Sequence, residues 1–247
     1  KLDRLKYTKT GELMPPEFSD AMSSLRGFAL SDLSASIIFS AGINPRMFTY
    51  CETFKDFFPD ENAFFKKKIV LKVSDFRSSI IQGKFLAKKG LWISEFRIES
   101  GLNCGGHLFP SDGYLMGPIL EEFKTKRSDI YSELLEMCRS AWTAKGIPFP
   151  SKSPILRFTV QGGIGTAKED RFLINHYEMD GTGWATPFLL VPEVTNVEDE
   201  TLHNLATAVI EDYVISDASP LGVPFSNFTK SVNHKQRIKR IEDGKPG

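Results

Sequence analysis

The sequence predicts an α/β fold with parallel strands, and three observations lead to it. Two apolar runs, Ile69 to Val73 and Leu91 to Ile98, flank a helical stretch, so strand, helix and strand fit within about 30 residues. Further short runs rich in β-branched and aromatic residues alternate with stretches of helical periodicity. Glycine-bearing turns lie beside those runs, at 101–107, 162–165 and 181–183. The length, 247 residues, suits one (β/α)8 barrel, which takes roughly 250.

Each element has its own justification. Residues 1–35 are weakly patterned, with Pro15 and Pro16 interrupting a polar stretch, and read as an irregular leading segment. SIIFSAGI, from Ser36, reads as a buried strand closed by Gly42, Asn44 and Pro45. The aromatic-rich stretch Phe48 to Phe65 reads as a helix bounded by Pro59 and by Lys66-Lys67-Lys68, a solvated approach to the next strand. IVLKV, from Ile69, is that strand. Ser74 or Asp75 caps the following helix, because a side-chain oxygen there accepts from first-turn amides. Lys88-Lys89-Gly90 ends the helix, and LWISEFRI, from Leu91, is the next strand.

A helix near 118–126 follows, then a clearer one from Ser128 to Ala144, with Ile130, Leu134, Leu135, Met137, Cys138 and Trp142 on one broad face. ILRFTV, from Ile155, is a strand that runs into a glycine turn. Thr166 and Glu169 form a capping-box pair for a helix reaching Tyr177. Gly181 to Gly183 precede the apolar strand WATPFLLV, the fifth in the count. Thr195 and Glu198 cap a helix whose apolar positions run from Leu202 to Tyr213. Residues 231–247 read as a flexible basic tail.

Composition narrows the function classes. With 31 basic and 31 acidic side chains the net charge is zero, which leaves no electrostatic footprint for nucleic acid. No apolar run approaches the ~20 residues that span a bilayer, so no membrane is expected. Cys51, Cys104 and Cys138 are odd in number and widely spaced; they form no metal-ligand pattern and no disulfide framework, which favours a reducing, cytoplasmic setting. The chain begins at Lys1 without an initiator Met or signal-peptide pattern and is expected to be part of a longer product.

The glycine turns carry the chemistry. In Gly101-Leu102-Asn103-Cys104-Gly105-Gly106-His107, adjacent glycines let backbone approach a planar ligand, and His107 reads either as a proton shuttle or as a hydrogen-bonded loop histidine. Gln161-Gly162-Gly163-Ile164-Gly165-Thr166 joins a strand to a capped helix, so its amides and the positive helix end suit a phosphate; a tight strand-to-helix turn is the plainer reading. In Gly183-Trp184-Ala185-Thr186-Pro187-Phe188, Ala185 and Thr186 offer a small footprint and a hydroxyl to complete such a cradle.

This order of motifs resembles the nitronate monooxygenase family: a strand-helix-strand unit ending in Gly-Gly-His, a strand running into Gly-Gly-Ile, then Thr-Pro-Phe with a following Pro-Glu. The family includes flavin-dependent enoyl-ACP reductases, and its members are FMN-binding TIM barrels. The likeness runs from Ser36 to Phe228. It implies an FMN cofactor and a small-molecule substrate with an acidic carbon or an activated alkene. It further implies His107 as the base over the flavin, beside Gly105 and Gly106, and Gly162, Gly163, Ala185 and Thr186 around the phosphate. Lys72 would face the ring as a cation. The implied fold is a TIM (β/α)8-type barrel over 36–230, incomplete at its N-terminus, with a helical insertion around 121–150. Two other readings stand beside it: a non-catalytic barrel domain that binds a phosphorylated ligand or partner within a larger protein, and an NAD(P)H-dependent enoyl reductase.

Overall fold

Short runs of β-branched and aromatic residues, each closed by a turn former, become the strands of a parallel sheet. In a computed structural model the described residues are 5–40, 42, 44–99, 103–104, 107–108, 116–162, 164–184, 197–216 and 225–245. The helices are α1 (Asp20–Leu30), α2 (Pro45–Cys51), α3 (Phe76–Ala87), α4 (Met116–Thr125), α5 (Arg127–Ala144), α6 (Ala167–His176), α7 (Asp199–Ala206) and α8 (Val232–Glu242). The strands are β1 (Ala35–Phe39), β2 (Lys67–Val73), β3 (Ile93–Glu99), β4 (Asn103–Cys104), β5 (His107–Leu108), β6 (Arg157–Gln161), β7 (Gly181–Gly183), β8 (Tyr213–Ser216) and β9 (Phe225–Phe228).

The five-strand parallel sheet runs in the order β1-β2-β3-β6-β7, and a four-strand antiparallel sheet runs β4-β5-β9-β8. The α/β class is therefore as expected. Among the described residues the parallel sheet is open and no closed barrel is present. Its strand order follows the chain without reversal, so it has no switch point of the doubly wound kind. No helix among the described residues is long and apolar enough to cross a membrane.

The chain divides into two units, 1–98 with 120–159 and 99–119 with 160–247, so the boundaries fall inside β3, α4 and β6. In the first unit, Leu71 pairs in register with Phe96 and Val73 with Ile98, and these side chains are fully buried. Phe96 stacks on Phe158 at 5.8 Å, and Phe123 of α4 packs on Phe158 at 5.9 Å. α5 buries Ile130, Leu134, Cys138 and Trp142, and it packs against α3 where Gly83 leaves room for Leu134. Residues 121–150, expected as an insertion, thus supply the helical cover of this unit. In the second unit Ile119, Val160 and Met179 are buried apolar side chains.

Local capping explains most helix starts. Asp75 accepts from the Ser78 amide at 2.7 Å, as its position before α3 predicts. The Thr166–Glu169 capping box opens α6, as predicted. Several expectations are corrected. Residues 20–30, read as irregular, form α1: Ser19 caps it, and Ala21, Met22, Leu25 and Ala29 are buried along one side. The helix expected over 48–65 is the short α2, which starts earlier because Asn44 caps it and Pro45 occupies its first turn. The lysine run is not wholly solvated. Lys67 is 1% exposed, its Nζ donating to Ser31 Oγ at 2.7 Å and Leu33 O at 2.5 Å over the Phe28 ring.

The helix expected to reach Tyr213 stops at Ala206. β-branched Val209 and Ile210 disfavour its continuation, and the Asp212 carboxylate accepts from the Val209 amide at 3.0 Å to start a new turn. Its cap position is Glu198, which makes no side-chain cap bond, while Thr195 lies outside the described residues. The tail expected to be flexible contains α8, capped by Ser231. Gly181–Gly183, expected as a turn, form β7; Trp184 follows it outside strand structure, and residues 185–191 of the expected strand lie outside the described residues.

Candidate functional site

The sequence-predicted residues divide between the units: Lys72 belongs to the first, and His107 and Gly162 to the second. The backbone of His107 lies in β5, paired with Cys104 on one side and Phe225 on the other. Its side chain lies outside the described residues, as do Gly105, Gly106, Gly163, Ala185 and Thr186. Lys72, half-buried near the end of β2, stands in register with Arg97 of β3.

In the second unit the turn after β6 is built to hold an oxyanion. Gly162 has φ +94°, a left-handed conformation that a Cβ would strain. Three donors then converge on one oxygen: the Gly165 amide at 3.0 Å, the Thr166 amide at 2.9 Å and the Thr166 hydroxyl at 2.9 Å all reach Oε2 of Glu169. The Gly165 amide first, then the Thr166 hydroxyl, hold the Glu169 carboxyl below the usual carboxylate range. The turn therefore carries the chain's own anion on the amides that the sequence offers to a phosphate. Beside it, Gln161 donates to Glu99 Oε2 at 2.6 Å. A Cβ on Gly183 would lie 2.9 Å from the Gln161 Cβ, so glycine there lets β7 approach β6 closely. Asp170 of α6 accepts from Thr182 of β7 at 2.6 Å, and that hydroxyl accepts from the Trp184 indole at 2.9 Å.

The first unit holds a polar cluster that the glycine motifs do not point to. Alternation along β3 puts Phe96 and Ile98 on the face packed by helices and Glu95 and Arg97 on the other. Glu95 is 8% exposed, and its Oε1 accepts from Arg97 Nε at 2.9 Å, Arg97 Nη2 at 2.7 Å and Thr159 Oγ1 at 2.7 Å. Arg157 Nη1 stands 4.0 Å from its other oxygen. The signal was present in the sequence: Glu95, Arg97 and Glu99 recur with period two inside an otherwise apolar strand, which places them on one face.

Comparison with family models, with curated proteins and with solved structures finds no match for this chain.

Proposed function

We propose that this chain is an FMN-dependent oxidoreductase of the nitronate monooxygenase type, acting on a small substrate with an acidic carbon or an activated alkene. The observation that carries the reading is the turn after β6, where two amides and a hydroxyl converge on a single oxygen of Glu169. Such a receptor, placed between a parallel strand and a helix N-terminus, is where α/β enzymes hold a ligand phosphate. Parallel strands following one another in chain order also support a barrel-type winding.

The described residues fit a phosphate group. Gly162 adds a backbone position free of a Cβ, and Glu169, exposed at its helix start, can rotate away to leave the Gly165 and Thr166 donors to the incoming anion. When bound, FMN would supply electron or hydride acceptance at N5 of its ring. Within the second unit the chain's own residues would divide the remaining work: the turn binds and orients, and His107 moves the proton of the acidic carbon. Gly105, Gly106, Gly163, Ala185 and Thr186 complete the binding surface on this reading.

The test is the visible spectrum of the purified protein with and without added FMN. Flavin bands that persist through gel filtration are expected, and a colourless protein that takes up no FMN overturns the proposal. Turnover retained in His107→Ala would remove the proton role alone. Nicotinamide consumption would mark an enoyl reductase. The same turn also favours a second reading, a non-catalytic domain for a phosphorylated ligand, which phosphate-dependent binding without flavin uptake would establish.

A further inference from the structure

We infer that Arg97 is the anchor of a second anion site, one that receives a small oxyanion presenting two oxygens: a carboxylate, or the phosphate of an ester. The argument starts from how the guanidinium is used. It has five N–H donors in a planar fork, and Glu95 Oε1 takes only the side formed by Nε and Nη2. Among the described residues Arg97 bonds to Glu95 alone, so the Nη1–Nη2 end of the fork remains available as a parallel pair of donors. That end matches a carboxylate or phosphate bidentately.

The arrangement is held from behind. Glu95 is almost wholly buried, and Thr159, 7% exposed, donates to the same oxygen, so the carboxylate that aims Arg97 is itself fixed. The Arg97 side chain is 27% exposed, so it is partly open to solvent while Glu95 behind it is not. It projects from the face opposite the packed helices, with Lys72 in register on the neighbouring strand. The fork is held along its Nε–Nη2 edge, and its other edge presents a parallel pair of donors that fits an oxyanion. Arg97 binds the ligand, and Glu95 is a positioning residue.

The site stands apart from the flavin reading, and its test omits FMN. The chain is titrated with malonate and, separately, with inorganic phosphate at low ionic strength. Binding is read by calorimetry and by the Nε–Hε resonance of Arg97, assigned by its loss in Arg97→Lys. Saturable binding of at least one probe with a shift of that resonance is expected. Arg97→Lys, which keeps the charge and loses the parallel pair, is expected to weaken binding about tenfold, the scale of one charge-assisted hydrogen bond. Glu95→Gln is expected to weaken it about threefold or more with little change in unfolding midpoint, and Lys88→Ala, an exposed cation on the α3 side, to leave it unchanged. Malonate without phosphate identifies a carboxylate ligand, and phosphate without malonate identifies a phosphate ester. No saturable binding of either probe overturns the inference. So does affinity unchanged by Arg97→Lys, which would assign any phosphate binding to the turn after β6.

Discussion

Gly90 and Gly146 occupy matching positions, and replacing each by alanine separates backbone strain from packing. Both follow a helix in left-handed conformation, at φ +76° after α3 and φ +68° after α5. Both close the helix with a bond back into its last turn, Gly90 to Ala87 O and Gly146 to Thr143 O. Their surroundings differ. A Cβ on Gly146 meets nothing within 4 Å, whereas one on Gly90 would lie 2.9 Å from Trp142 Cδ1 and 3.1 Å from its Nε1. That indole is fully buried and donates to the Gly90 carbonyl at 2.7 Å, so it cannot move aside without loosening its own hydrogen bond.

For Gly146→Ala the left-handed cost of ~1–2 kcal/mol is partly offset by the ~0.4–1 kcal/mol that alanine gains by restricting the unfolded chain. A loss of about 1 kcal/mol is expected. Gly90→Ala adds the overpacking of a close-packed core, ~1–3 kcal/mol, for a total of about 2–4 kcal/mol. Urea unfolding followed by tryptophan fluorescence and far-ultraviolet dichroism gives both values, and their difference is the packing contribution. Equal losses in the two variants would refute the reasoning, because the Trp142 contact would then contribute nothing.

Other outcomes follow from single contacts. Lys67→Ala leaves Ser31 and the Leu33 carbonyl without their cationic donor, and urea unfolding should show a loss of about 2–4 kcal/mol; a value near zero would mean that water replaces the ammonium freely. Burial pushes the Cys51 and Cys138 thiols up to about 12, so both should resist a thiol reagent at pH 8 until urea is added, as mapped by mass spectrometry. Because their folded values exceed the free-thiol value of ~8.5, their contribution to stability is complete below that pH and is lost as pH rises toward 12. The Glu169 carboxyl is shifted the other way, so its contribution is present above the unfolded carboxylate range and lost as pH falls through the lowered folded value. Glu169→Gln should quicken amide exchange at Gly165 and Thr166; unchanged exchange would show that the capping carboxylate does not hold the turn.

What was legible in the sequence is what short-range chemistry decides. Asp75 and the Thr166–Glu169 pair announce their helices because a cap is a bond between residues three apart. β2, β3 and β6 declare themselves because strands buried on both faces read as near-continuous apolar runs. α8 was illegible for the opposite reason. It has only Val232, Ile238 and Ile241 as large apolar residues, whereas α1 did carry a signal, Ala21, Met22, Leu25 and Ala29 at helical spacing behind the Ser19 cap, which the reading of the two upstream prolines as irregular passed over. Tyr213 sits at a helical interval from Leu202, yet the decision to end α7 belongs to Asp212, which binds forward to Lys230 at 2.9 Å and backward to Val209. Such long-range ties leave no periodic trace. At the site, the Thr166–Glu169 capping box already placed the Glu169 carboxylate on the Thr166 amide, and only the further bond from the Gly165 amide goes beyond that motif. The Glu95–Arg97 alternation was readable, though its partner Thr159 lies 64 positions away.

The boundaries inside β3, α4 and β6 have a practical consequence for dissecting this molecule. The polypeptide crosses from one unit to the other three times, so each unit is assembled from two separated stretches of chain. No single proteolytic cut can excise either unit, and no single pair of termini delimits one. A truncation that keeps residues 1–98 discards α5, the helix that covers their sheet, while one that begins at residue 160 discards part of β6. Functional mapping therefore calls for point substitutions, or for two complementary fragments produced together, rather than for domain trimming.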